Sequence, residues 1–337
     1  MASINRRDLI ATGLLGVGFG AAFPSRSFAQ AAKFRFAMPT TPANYLLPYF
    51  SALDQGWLLK GGIDVEGLVV IGDVNAFRAL VSGSADATVP AISPVLAGVA
   101  EGAKVKVVSS WQPVVDYFIV ARKGLSTKPA DLGTMTWGTA GPGGVTSAVS
   151  TLYMKKHGLD PAKAKTLSVG DQSSRLQALV GGKVDVTILD SYVTTRAERA
   201  GQLTPVTSVV EEFPGMGNVF LVVDQKSLGD AAKRKAILAM VKGGIEGARF
   251  VMKEPAKAAE LMEKHLTNAD VGLLTETLVR VNKLGIWGVD GGLDRKIIDY
   301  TAGVYFDEGI VSRKVTFEEL VDTSLVEEAI RDLGRFQ

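Results

Sequence analysis

"RALVSGSADAT" at Arg78–Thr88 returns 99 residues later as "QALVGGKVDVT" at Gln177–Thr187. The two stretches align without a gap: Ala-Leu-Val, one residue, Gly, two residues, Asp, one residue, Thr. Each reads as the end of an amphipathic helix, a glycine placed where a helix takes a left-handed residue, and a short β-branched strand ("ATVPA" and "VTILD"). Each is the back half of a βαβ unit, so two similar α/β halves follow one another. Any two helix–glycine–strand junctions share part of this likeness, and the rest of the chain must decide.

Outside the repeat the order is also α/β. "KFRFAMPTT", "IDVEGLVVIGD", Ala87–Ala91 and "KVKVVSSWQP" read as strands separated by helices, among them Val74–Val81 and "ISPVLAGVAEGA". That order predicts a parallel sheet with helices on both faces. "YFIVA", "MTWGTA", "AKTLSVGD" and "VTILD" are the strands of the second half, with a helix at "VTSAVSTLYMKKHGL". "GNVFLVVDQKSL" (Gly217–Leu228) echoes "DYFIVARKGL". We read the two as crossings between halves, out near Phe118–Arg122 and back near Val219–Asp224. The remainder is helical: Ala231–Met252, a segment after Pro255, Ala269–Leu284, "DRKIIDYTAGVYFDEG" and Phe317–Leu333.

The chain has 337 residues, enough for two domains; 47% are apolar and 21% charged, a composition that folds. The first 29 residues differ. "NRRDLI" places paired arginines before an apolar run, Leu9–Phe23, too short to span a bilayer, and "SFA" at Ser27–Ala29 suits a cleavage site. The pair is similar to a twin-arginine export signal; an ordinary secretory signal is the alternative. Cleavage after Ala29 removes three positive charges and one negative, taking the formal charge from +2 to 0. A neutral chain offers nucleic acid no electrostatic footprint. There is no cysteine, hence no disulfide, thiolate site or lipoprotein anchor. No later apolar run approaches the roughly 18 residues of a spanning helix.

The mature chain resembles the periplasmic substrate-binding proteins of ABC importers, in the branch with aliphatic-sulfonate, taurine, nitrate and thiamine-pyrimidine binders. The likeness is carried by "FRFAMPTTPANYLLPYFSALDQGWLLKGGIDVE", the doubled phrase and "ADLGTMTWGTAGPGGVTSAVSTLYMKKHGLDP". It implies an α/β, two-lobe periplasmic-binding-protein fold, two doubly wound sheets joined by two crossing strands. Lobe 1 would be 33–120 with 220–337, and lobe 2 would be 121–219. It also implies a small-molecule ligand, a permease in the inner membrane as partner, a monomer in the periplasm, and no cofactor.

Ligands of such sheets sit outside the carboxyl ends of strands, which selects the candidates. "TAGPGGVTS" ends a strand and opens a helix, so Gly143, Gly144, Val145 and Thr146 suit an acidic group; it lacks the spacing of the dinucleotide and phosphate loops. The resemblance makes Thr40, Thr41 and Tyr45 ligand-facing. Gly72 and Asn75 follow the next strand, where Asp73 reads first as a helix cap; Ser93 opens the helix after the third. Trp111 could stack on a ligand or fill the core. Asp190 and Tyr192 end the second copy, and Met216 and Asn218 precede the return crossing. Trp287 reads as core, and His157 and His265 as surface residues near helix ends. No nucleophile elbow or zinc-protease motif occurs, so we expect a binding protein rather than an enzyme. The helix start favours a sulfonate or carboxylate. Asp190 pulls the other way, toward a donor-bearing ligand such as a thiamine-type pyrimidine.

Overall fold

The repeated phrase folds the same way twice, and each of its shared letters has a contact except the exposed Val81 and Val180. The computed structural model describes residues 32–40, 43–142, 144–265 and 270–337; residues 1–29, where an export signal is expected, Thr41 and Gly143 lie outside them. Leu80 and Leu179 are buried, and Gly83 and Gly182 take φ of 76° and 73°. In each copy the glycine and the residue after it donate back to the last turn: Gly83 to Leu80 and Ser84 to Ala79, Gly182 to Leu179 and Lys183 to Ala178. This double bond closes a helix and needs a left-handed residue. Asp86 then accepts the Arg35 N–H at 2.9 Å while its own N–H donates to the Arg35 carbonyl at 2.8 Å. Asp185 makes the same exchange with Thr136, at 3.1 and 2.8 Å. Thr88 and Thr187 complete the set, donating to Ala37 and Gly138 of the same neighbouring strands at 2.9 and 2.7 Å. The phrase is a helix stop followed by a register clamp.

Ten strands form two five-stranded sheets. The first contains β1 (Ala32–Met38), β2 (Ile63–Val69), β3 (Ala87–Thr88), β4 (Val105–Val114) and β10 (Gly217–Asp224). The second contains β5 (Tyr117–Arg122), β6 (Thr136–Thr139), β7 (Lys165–Ser168), β8 (Val186–Asp190) and β9 (Leu203–Ser208). Their orders, β2-β1-β3-β10-β4 and β7-β6-β8-β5-β9, superimpose element for element. In each, four strands run one way and one runs against them, β10 in the first and β5 in the second. The sheets are therefore mixed rather than all parallel: the strand that follows each crossing enters between two parallel ones. Those strands belong wholly to one sheet each, and the passages lie before them, between Val114 and Tyr117 and between Ser208 and Gly217. The helix Ser191–Arg199 and strand β9 are elements that the apolar pattern does not announce.

Alternation along the reversed strands fills both faces. In β10, Val219, Leu221 and Val223 join one buried cluster, and Phe220 and Val222 join the other. In β5, Ile119 faces one side, and Phe118 and Val120 face the other. The long C-terminal helix expected over Phe317–Leu333 is two helices, Phe317–Leu320 and Ser324–Leu333. Val321 between them is extended and bridges to Val107, and the Asp322 N–H donates to the Val107 carbonyl, so the edge of β4 takes one residue from the helix.

Burial works against charge on Asp86 and Asp185, but bonds from Arg35 and Arg122 and from the strand N–H groups outweigh it and hold both carboxyls below their ordinary value. Replacing either by alanine should cost roughly 1–3 kcal/mol in urea unfolding at pH 7. A depressed carboxyl stabilises only where it is ionised, so the penalty should shrink as pH falls below about 4.

Candidate functional site

A cavity of about 200 Å³ opens where the strand ends of the two sheets meet, lined by Pro39, Thr40, Ala43, Asn44, Tyr45, Asp73, Ala91, Asp116, Tyr117, Gln172, Asp190, Asn218 and Val219. The fold supplies these residues in pairs. Asp73 opens the helix Asp73–Val81 and Gln172 opens its counterpart Gln172–Val180, again 99 residues on. Ala91 and Asp190, also 99 apart, follow the two clamped strands. The side chain of Asp73 accepts the Ala91 N–H at 2.8 Å. In the second half Gln172 takes that place: its amide donates to Asp190 Oδ2 at 2.7 Å and its oxygen accepts the Asp190 N–H at 3.4 Å. The walls are thus the same joint from both halves, and Asp116, Tyr117, Asn218 and Val219 come from the two crossings.

Three carboxylates face this space, and among the described residues no lysine, arginine or histidine lines it. Asp116 is 6% exposed, and one of its oxygens accepts the Ser191 hydroxyl at 2.6 Å. Burial, then the charge of Asp190, pushes its carboxyl up, against hydrogen bonds from Ser191 and Gln112. Asp190 is raised by burial too, although the Val193 N–H, Gln172, Arg175 and Arg196 favour its charge. Burial also raises Asp73. The phenols of Tyr45 and Tyr117 are raised first by burial and next by these carboxylates, Asp73 for the former and Asp116 for the latter. Arg175 lies behind the wall with its guanidinium bonded to the Ile188 and Gly170 carbonyls. On the other side the Asn44 Nδ2 is buried without a partner, and Asn218, 9% exposed, lines the wall.

Of the residues expected at the site, the cavity collects Thr40, Tyr45, Asp190 and Asn218. Gly72 is the exposed cap before Asp73, and Asn75 turns back to the Ile71 carbonyl at 2.9 Å. Ser93 lies at the Tyr305 hydroxyl. Trp111 is core, 2% exposed and edge-on to Phe36, and Tyr192 packs against the buried cluster of the first sheet. Gly144, Val145 and Thr146 open the helix Val145–Lys156 and do not line the cavity; the Thr146 hydroxyl accepts the Ala140 N–H at 2.9 Å. Met216 is buried in the second sheet's core. Asp73 is a wall residue rather than a cap. Asp116, Tyr117 and Gln172 went unread; the signal for the first was a lone acid inside the apolar run "VVDYFIV". Among the described residues no acidic or histidine cluster could hold a metal ion, and no helix is long and apolar enough to cross a membrane.

Two mixed sheets, two crossings and a cavity between strand ends define the periplasmic-binding-protein fold. The model of the NMT1/THI5-like family matches residues 43–258, and the chain belongs to that family. No curated protein matches it in sequence. Among solved structures it is similar to a protein from Bordetella bronchiseptica RB50, at 21% identity and TM-score 0.69 over 90% of this chain and 98% of the other. It is also similar to the periplasmic aliphatic sulphonate binding protein SsuA from Escherichia coli, at 13% and 0.71 over 86% and 92%. The periplasmic nitrate-binding protein NrtA from Synechocystis PCC 6803 gives 12% and 0.71 over 90% of each chain.

A raised carboxyl binds its proton more tightly folded than unfolded, so its contribution to stability is present at low pH and is lost as pH rises through the folded value, about 6 for Asp116. Asp116→Asn should therefore raise the melting temperature of the empty protein by a few degrees at pH 7, and the gain should vanish near pH 4. Calorimetry at the two pH values measures it.

Proposed function

We propose that the chain is an exported solute-binding protein of an ABC importer, soluble and monomeric in the periplasm once residues 1–29 are removed, and that it delivers a small organic molecule to an inner-membrane permease. On this reading the two halves act as lobes, residues 33–116 with 217–337 and residues 117–216, a shift of a few residues from the expected 33–120, 121–219 and 220–337 because β5 and β10 each stay whole in one sheet. They close by bending at Val115–Asp116 and in the return segment before Gly217. The observation that carries the reading is the cavity: the two halves present equivalent joints to one enclosed space, as a receptor gripping a molecule from both sides requires. Contacts that bind the halves elsewhere include apolar packing, of Tyr192 and Val210 against the first sheet's buried cluster and of Val304 within the second's, and two ion pairs near the surface, Lys155 to Glu308 at 2.7 Å and Arg280 to Glu198 at 2.8 Å. Such exposed pairs are weak enough to exchange during opening. The mechanism is capture and release, with no covalent step.

The sulfonate or carboxylate favoured by the glycine-rich helix start has little support from the walls, which offer an acid three carboxylates. The donor-bearing reading, a thiamine-type pyrimidine held partly through Asp190, fits them better. Mature protein from Gln30 should therefore gain thermal stability with 4-amino-5-hydroxymethyl-2-methylpyrimidine and not with taurine or alkanesulfonates. A ligand at 100 times its dissociation constant adds about 2.7 kcal/mol. Small-angle scattering should show a smaller radius of gyration with the stabilising compound. No shift with any solute of a broad panel, and scattering unchanged, would remove the receptor reading.

A further inference from the structure

We propose that the cavity selects a singly charged cation, an amidinium or protonated amino-heterocycle, seated on Asp116 and Asp190 with Asp73 on the facing wall. This rests on the solute-binding reading and names the ligand class of that same cavity. Two independent observations carry it. The first is charge. Asp73, Asp116 and Asp190 line one small space; the cations nearest them, Arg175 and Arg196, act on Asp190 without lining it. Arg175 is 5% exposed, its Nε and Nη1 are taken by main-chain carbonyls and it does not line the cavity, so it tempers the negative potential from behind the wall. The second is hydrogen bonding. The Asn44 Nδ2 is buried without a partner beside the cavity, so a ligand that brings an acceptor within its reach as well as its charge gains a hydrogen bond that the empty protein lacks.

The alternatives fare worse on the same walls. An anion entering here meets three acids and one free amide donor. A neutral molecule leaves buried carboxylates ionised without a counter-charge, an arrangement that proteins avoid. A cation with fixed N–H donors satisfies acids and hydrogen bonds together, and a forked group matches two neighbouring carboxylates. The two acids adjoin: Tyr117, the residue after Asp116, pairs with Asp190, and Ser191, the residue after Asp190, donates to Asp116.

The test uses three probes of one shape and different charge: benzamidine, benzamide and benzoate, titrated calorimetrically into the mature protein. Benzamidine should bind at least tenfold tighter than benzamide, and benzoate should not compete. The groups around the acid pair are Asp73, Tyr45, Tyr117, Arg175 and Arg196; burial raises both phenols further above the neutral range, and Asp116, raised to about 6, titrates between pH 5 and 7. Raised carboxyls must lose their proton to hold a cation, so affinity for benzamidine should rise across that range. Binding should release protons, read from heats in two buffers of different ionisation enthalpy. Asp116→Asn and Asp190→Asn should each weaken benzamidine roughly 100-fold, with melting curves showing that both variants fold. If benzamide or benzoate binds as well or better, or protons are taken up, the receptor reading stands and the cation assignment falls. If none of the three binds at millimolar concentration, the assignment falls as well, and the broader panel above judges the receptor reading separately.

Discussion

The structure depends on two passages of chain lying side by side. Val114 at the end of β4 pairs with Gly217 at the start of β10, and the Val115 N–H donates to the Met216 carbonyl at 3.2 Å. Thr301 of the helix Arg295–Asp307 braces the return passage, its hydroxyl accepting the Gly217 N–H at 2.7 Å and donating to the Gly215 carbonyl at 2.9 Å. Because the chain passes between the sheets here alone among the described residues, each reversed strand must begin at this seam. The carboxyl ends of the clamped strands then open toward it from both halves. The cavity, its acids and its paired joints follow from that geometry.

Much of the fold was legible because its signals are local. Glycine at 83 and 182, the buried leucines before them and the β-branched runs after them are short-range facts, and the doubled phrase announces doubled halves. What could not be read were the partners. Asp86 and Asp185 take their meaning from Arg35 and Thr136, residues placed opposite them only by sheet order. The same holds for the mixed direction of the sheets, since nothing within "GNVFLVVD" says which strands it will enter between. The break at Val321 is a tertiary contact overriding a helical pattern.

The site was legible to a lesser degree, for a related reason. Strand ends followed by glycine-rich helix starts attract attention, and "TAGPGGVTS" has the stronger local signature; yet Thr146 accepts the Ala140 N–H of the same segment, and the helix start does not line the cavity. Asp116 carries no local signature beyond an acid in an apolar run, and it becomes a wall only because the crossing places it there. Shared fold and family therefore leave the cargo open: the sulphonate- and nitrate-binding proteins have this architecture, while the chemistry of a cavity is set by a few side chains at its seam.

Those side chains also bear on motion. In a closed, empty cavity three acids share a small space of low polarisability, where each raises the cost of ionising the next. On the proposed reading of two closing lobes, opening would let water reach them and relieve that cost, so near neutral pH the charges would bias the empty protein toward the open form. A cation between Asp116 and Asp190 reverses the sign: what opposed closure now favours it, and a neutral or acidic molecule of the same shape gains no such help. Only a differential interaction of this kind can shift a two-state equilibrium. The acids that make the empty protein less stable would then be the groups that make its closure selective.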